Sequence, residues 1–382
     1  MAPEAGPSGK TMRSAPSRRA PDPDSPAAAP TGPGSAPSGP AVARRRRSRH
    51  PMTVLLACLV AVSALVAAPA AMADDGKPAT PYVFPKAKAA SGARVVDVKR
   101  LDERTADLVI ASPAMGADMP VRVILPRSWH ATSKRTYPTV YLLQGASDDY
   151  TSWTRETDVE QLAADSDAII VTPEGGRAGF YTNWYDGGRK DGPKWETFHT
   201  LELPQILESG YKANKRRALI GLSEGGLGAL NYAGRHPGEY AYAASFSGVV
   251  DIEEQATRTF IYLTCAREGI DANKLWGEPA RQASVWEAHN PARHPRRLRG
   301  VKVHLSAATG LPGGLEGAFD PFAGMLEGPT YTPNVRFASV LREEGVDVTS
   351  NFHVTGTHAW PYWQRELHTV WPAVLGALRV NR

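Results

Sequence analysis

Cysteine is nearly absent: the chain has two in 382 residues, Cys58 and Cys265. Cys58 lies in an apolar run read below as a removable signal, so the remaining domain has no partner for a disulfide and must rely on its core. No neighbouring residue would activate Cys265, which argues against a cysteine nucleophile. Metal-ligand spacing is missing too. His289, His294 and His304 stand close together without Cys or carboxylate companions at matching intervals, so neither a metal nor any other cofactor is expected. There is no internal repeat. Excess positive charge is confined to residues 1–51, where nine Lys/Arg face three Asp/Glu, a net of +6; the rest of the +5 chain therefore carries −1. The sequence pI near 9.1 is thus a property of the leader, and no nucleic-acid partner is expected.

What is present begins with that leader. Residues 1–51 are rich in Ala, Pro, Ser and Gly, have few large apolar side chains, and end in Arg44-Arg45-Arg46-Arg47-Ser48-Arg49-His50. They read as a disordered, basic, low-complexity segment. Residues 52–73 supply an uncharged apolar stretch and then Ala71-Met72-Ala73, followed by Asp74-Asp75. Positive region, apolar region and A-x-A site together make a secretory signal. The expectation is a secreted or cell-envelope protein with no stable membrane anchor after cleavage. Residues 74–92 read as a linker and 93–382 as the folded domain.

Within that domain, Ala93–Val98, Ala106–Ser112 and Pro120–Pro126 suggest an antiparallel start. Six further strands are predicted at Thr139–Leu143, Ala168–Pro173, Arg217–Leu222, Tyr242–Ser247, Val301–Ser306 and Val346–His353, several of them continuous apolar runs of the kind covered on both faces. Helical patterns at Thr197–Glu208, Glu224–Arg235, Asn334–Glu344 and Tyr362–Arg379 lie between or after them. This alternation predicts an α/β fold, with a mostly parallel central sheet and helices on both faces. The stretch from Asp251 to Pro295 is polar and irregular and reads as a cap or insertion.

Gly221-Leu222-Ser223-Glu224-Gly225 follows one of those strands and opens a helix. G-x-S-x-G in that context is a nucleophile elbow, and the chain order on an α/β-hydrolase fold is Ser, then acid, then His. Ser223 needs a base to remove its proton. His358, in Gly356-Thr357-His358-Ala359-Trp360 after the last strand, is the candidate; His353 and His368 are alternatives placed within a strand and on the last helix. The acid is sought in the loop after the strand ending near Ser306, where Glu316, Asp320 and Glu327 all qualify. A tetrahedral intermediate needs two backbone donors, here the N–H groups of Glu224 and of Ala146 in the Gln144-Gly145-Ala146 loop.

At these residues the chain resembles the esterases related to the mycobacterial antigen 85 complex, secreted mycolyltransferases of the α/β-hydrolase fold. The matching pieces include Tyr141–Gly145, Asp148-Asp149-Tyr150, Phe180–Tyr185, Lys194–Phe198, Gly221–Gly225, His236-Pro237, Ser247-Gly248, Leu275-Trp276-Gly277 and Gly356–Trp360, in order over about residues 120–375. The resemblance implies a Ser223–Glu327–His358 triad, with Glu327 favoured among the acids, and supports Ala146 and Glu224 as oxyanion donors. It makes Trp360 a sugar-acceptor contact and Gln144 the counterpart of an aspartate that binds trehalose. That aspartate is replaced here, the loop is shorter, and no arginine follows, so two trehalose contacts are missing.

The implied activity is an exported serine esterase or acyltransferase on acyl esters, a lipid or glycolipid among them, working through an acyl-enzyme. An acyl (mycolyl-like) transferase to a sugar or cell-envelope acceptor is the alternative. A non-catalytic binding protein on the same fold is the third reading, opposed by the presence of both Ser223 and His358. Oligomeric state is not legible.

Overall fold

A computed structural model describes residues 82–189 and 191–380. The leader, the apolar run and the first part of the expected linker lie outside them. Nine strands form one sheet in the order β1-β2-β3-β5-β4-β6-β7-β8-β9. β1 (Arg94–Arg100), β2 (Thr105–Ser112) and β3 (Ala117–Ile124) are an antiparallel meander, and β3 pairs antiparallel with β5 (Ile169–Pro173). β4 (Tyr137–Leu143), β5, β6 (Ala213–Leu222), β7 (Tyr242–Phe246), β8 (Lys302–Ala308) and β9 (Val348–His353) are mutually parallel. This is the expected α/β-hydrolase architecture.

Alternation along the parallel strands feeds two cores. Tyr141 and Leu143 of β4, Leu219 of β6 and Leu305 of β8 face one; Val140, Leu142, Ile220 and Phe246 face the other. The first is covered by α3 (Trp195–Thr197), which runs through a π turn at Phe198–Glu202 into α4 (Leu203–Gly210), and by α5 (Glu224–Arg235) and part of α9 (Pro321–Glu343). The second is covered by α1 (Ser152–Glu156), α2 (Val159–Ala164) and α10 (Trp360–Leu378). Both faces are apolar because both are buried. A third apolar cluster lies under α6 (Gln255–Arg267), α7 (Asn273–Trp276) and α8 (Ala283–Ala288), the segment expected to be irregular.

Three boundaries differ from the sequence reading. Residues 82–92 already pack on the domain: Tyr82 stacks on Trp129 with centroids 6.3 Å apart, the Tyr211 hydroxyl donates to Pro85 O at 2.8 Å, and Ala87 is buried. The folded unit therefore begins before residue 93, because these few aromatic and small residues cover the end of α4. The Asp251–Pro295 stretch contains the 13-residue helix α6. α9 starts at Pro321 rather than Asn334 and carries Pro329 and Pro333 inside it. Prolines remove helical N–H donors. Thr330 Oγ1 donating to Glu327 O at 2.8 Å, and Asn334 Nδ2 to Thr330 O at 2.9 Å, supply side-chain donors to the carbonyls of that stretch.

β4 lies between β5 and β6, so successive connections leave it in opposite directions. A crevice at the carboxyl ends of the strands follows at that switch point. The loops after β4 and β6 both open there.

Candidate active site

Ser223 joins β6 to α5 with φ 52° and ψ −118°, a left-handed conformation costly for any residue but glycine. The flanking glycines explain why the turn can be so tight. A Cβ on Gly221 would stand 2.0 Å from Gly225 O, and one on Gly225 would stand 2.4 Å from both Leu143 O and Gln144 O. Only hydrogen fits at either place. Gly145 packs on the other side, where a Cβ would come 2.6 Å from Leu222 Cδ1 and 3.4 Å from Ser223 Cβ. The loop bearing Ala146 therefore abuts the elbow. Neither the Ala146 N–H nor the Glu224 N–H has an acceptor among the described residues, and the latter opens α5, whose first N–H groups are unpaired by geometry.

Glu327 is on α9, not on a loop, and is 1% exposed. Its Oε2 meets His358 Nδ1 at 2.8 Å. Its Oε1 accepts Ala308 N–H at 2.7 Å and the Ser247 hydroxyl at 2.9 Å. Ser247 Oγ in turn accepts the Trp363 indole N–H at 3.0 Å, and the Trp363 ring stands edge-on to the His358 imidazole, 4.9 Å between centroids and perpendicular. The His358 peptide N–H is fixed to Ala323 O at 3.1 Å. The imidazole is thus oriented from four places: the residue after β7 and the end of β8 through Glu327's donors, α9 directly and α10 by packing.

Ser223 and His358 line one cavity of about 240 Å³. Among the described residues the His358 side chain is hydrogen-bonded to Glu327 alone; side-chain contacts of this kind are often long until a substrate binds. The remaining walls are mostly apolar: Val249 and Val250 are buried, Phe260 and Leu326 half-buried, and Leu263, Met325 and Pro329 exposed at the mouth, with Thr257, Thr259 and Thr330 between them. A serine hydroxyl, an oriented imidazole, two N–H groups without acceptors among the described residues and a mostly apolar trough are of the kinds that acyl transfer uses.

A family of putative esterases matches residues 112–373. The chain belongs to this esterase family. It is 34% identical over 278 residues to the diacylglycerol acyltransferase/mycolyltransferase Ag85B of Mycolicibacterium smegmatis, covering 69% of this chain and 82% of the relative. It is 33% identical to the diacylglycerol acyltransferase/mycolyltransferase Ag85C of Mycobacterium avium, covering 69% and 75%. Among solved structures it resembles MPT51 of Mycobacterium tuberculosis, at 26% identity and a TM-score of 0.59, over 71% of this chain and 97% of that one. The antigen 85 kinship and the α/β-hydrolase fold expected from the sequence are both found, and the chain is an ester hydrolase or acyltransferase.

Other expected positions of this esterase fall elsewhere. Gln144 is 1% exposed and donates its amide to Asp148 O at 2.7 Å. It braces the loop from beneath instead of facing the cavity. Trp360 stands edge-on to Trp153 and Trp363 at 5.3 and 5.2 Å, and lines a separate groove with Arg365 and His368. The rival acids and bases have other partners. Asp320 caps α9 through Phe322 N–H, and Glu316 accepts from the Tyr362 hydroxyl. His353 pairs with Glu366 at 2.9 Å, and His368 with Asp158 at 2.8 Å. Cys265 is buried, and burial pushes its thiol up to about 12, which leaves it unreactive.

Sequence reasoning missed Ser247 and Trp363. A Ser-Gly at the carboxyl end of the strand beside the elbow strand was the available signal for the first, and nothing in the pattern of α10 singled out the second. It also missed the side chain of Glu224, which is fully buried. One carboxylate oxygen accepts Phe180 N–H at 2.7 Å, the other has no partner among the described residues, and burial pushes the carboxyl up to about 8.

Proposed function

We propose that this esterase-family chain is an exported serine hydrolase that forms an acyl-enzyme at Ser223. His358 takes the Ser223 proton as the hydroxyl attacks the ester carbonyl. Glu327 accepts the Nδ1 hydrogen, fixes the tautomer and steadies the imidazolium that forms. The N–H groups of Ala146 and Glu224 receive the oxyanion. His358 then returns the proton to the leaving alcohol, and water or a second alcohol releases the acyl group through the same base.

The carrying observation is the buried Glu327 carboxylate hydrogen-bonded to His358, with His358 and Ser223 on one apolar cavity. That cavity suits the hydrocarbon part of an acyl ester. A fluorophosphonate should label the purified chain at Ser223 alone, and Ser223→Ala should remove both labelling and p-nitrophenyl ester turnover while leaving the far-ultraviolet circular dichroism unchanged. Full esterase activity in that variant would overturn the assignment.

Transfer to an alcohol is the second reading, supported by the names of the 33–34% identical relatives. Burial of Gln144 and the separate groove of Trp360 favour water, or an acceptor other than trehalose. Product analysis with p-nitrophenyl esters, with and without added sugars, separates the two. Export rests on the basic run, the apolar run and Ala71-Met72-Ala73; the mature chain from culture medium should begin at Asp74. No helix among the described residues is long and apolar enough to cross a membrane.

A further inference from the structure

Ser147, next to the Ala146 N–H, holds φ 61° without being glycine. Such a conformation persists only when its surroundings over-determine it. Two contacts do so. The Ser147 N–H donates to Arg177 O at 2.7 Å, and its hydroxyl donates to Glu268 Oε1 at 2.6 Å. Glu268 Oε2 accepts Arg177 Nε at 2.6 Å, which closes a ring of three residues around the loop. The Arg177 guanidinium and the Ser147 hydroxyl hold the Glu268 carboxyl below the ordinary carboxylate range.

Glu268 is also the C-terminal cap of α6. The same helix presents Ala256, Thr257, Phe260 and Leu263 to the cavity that contains Ser223. One helix therefore touches the acyl space along its side and the proposed oxyanion loop at its end. Contiguous packing of this kind is a physical route for coupling two sites.

We propose that Glu268 is a positioning residue that aims the Ala146 N–H, and that it makes this aim depend on whether an acyl chain is seated against α6. The inference rests on the reading of Ser223 as nucleophile and Ala146 as oxyanion donor. A chain long enough to reach Phe260 and Leu263 steadies α6; Glu268 then holds Ser147, and Ala146 stays directed at the developing oxyanion. A two-carbon acyl group leaves α6 untouched and gains nothing from the link. The coupling acts on the transition state, so it falls on kcat more than on KM.

The test compares kcat and KM for p-nitrophenyl acetate and p-nitrophenyl octanoate in the wild type, Glu268→Gln and Ser147→Gly. Ser147→Gly removes the hydroxyl while relieving the left-handed backbone, so it guards against loss of folding. The wild type should turn over octanoate faster than acetate. Both variants should lose about tenfold in kcat on octanoate, less than removal of a whole oxyanion donor. Their KM should stay within about twofold, and their octanoate-to-acetate ratio of kcat should fall toward one. A wild-type ratio already at one, wild-type kcat in both variants, or an equal loss on both esters would overturn the inference. Fluorophosphonate labelling keeps the two readings apart. A wild type that neither labels at Ser223 nor turns over either ester sinks the proposed function, whereas a labelled, active wild type with unaffected variants sinks only the role of Glu268.

Discussion

Two glutamates are buried, one next to Ser223 in the chain and one bonded to His358, and their surroundings differ in kind. Glu327 is 1% exposed and Glu224 fully buried. Three donors converge on Glu327: the Ser247 hydroxyl and Ala308 N–H on one oxygen, His358 Nδ1 on the other. Glu224 accepts Phe180 N–H on one oxygen, and its second oxygen is unpartnered among the described residues. Depth of burial alone does not decide what a carboxyl group does. The number and direction of the donors around it do. The first carboxylate is saturated with donors, one of them an imidazole nitrogen, which suits the acid role proposed for it. The second ties the turn at Phe180 and Tyr181, both at φ 50°, to the start of α5.

The comparison breaks most sharply at Glu327. Glu327→Gln keeps the shape but presents an amide N–H or a weaker acceptor to His358 Nδ1, which permits the wrong tautomer. A kcat loss of about 10³–10⁴-fold with little change in KM is expected, by analogy with the amide replacement of a triad carboxylate. Steady-state kinetics on a p-nitrophenyl ester check it, and a loss below tenfold would remove Glu327 from the acid role. Ser247→Ala is a milder break. It deletes one donor to Glu327 and strands the Trp363 indole N–H, both buried. Stranding a buried polar group costs about 1–3 kcal/mol. Urea unfolding should show a loss in that range, and kcat should fall about tenfold with KM unchanged.

The fold was legible because both cores are read from alternation. Continuous apolar runs such as Thr139–Leu143 and Ala168–Pro173 are too short for a buried helix and rich in β-branched residues, so they read as strands covered on both faces. The strand-to-helix corner at Ser223 and the loop carrying His358 were legible from their spacing to those strands. α6 was not, because it faces a cavity: only Ile261, Thr264 and Cys265 are buried and Leu263 is exposed, which erases the apolar stripe that marks a helix packed on solid core. The first half of α9 was hidden by Pro329 and Pro333, which normally end a helix. That is why Glu327 was sought on a loop. Gln144 and Trp360 lie outside the cavity of Ser223 for a different reason. Resemblance carries residue positions but not the direction of a side chain, and both turn away from the cavity.

Glu224 sharpens the comparison through its pH dependence, with the smallest effect on turnover. Its folded-state pKa of about 8 lies above the ordinary value of 4.5. Between those values the folded chain binds a proton that the unfolded chain has lost. Stability from this group is therefore full below about pH 4.5, declines as pH rises toward 8, and changes no further above it. The slope from one group cannot exceed about 1.4 kcal/mol per pH unit. Glu224→Gln keeps the acceptor for Phe180 N–H and cannot ionise. It should match the wild type in urea unfolding at pH 5 and exceed it at pH 9, while kcat at neutral pH, where the wild-type carboxyl is largely protonated, stays within about threefold because the oxyanion donor is the Glu224 backbone. A variant no more stable than wild type at pH 9 would mean that the buried carboxyl has found a donor for its second oxygen, and that the two glutamates differ less than their surroundings imply.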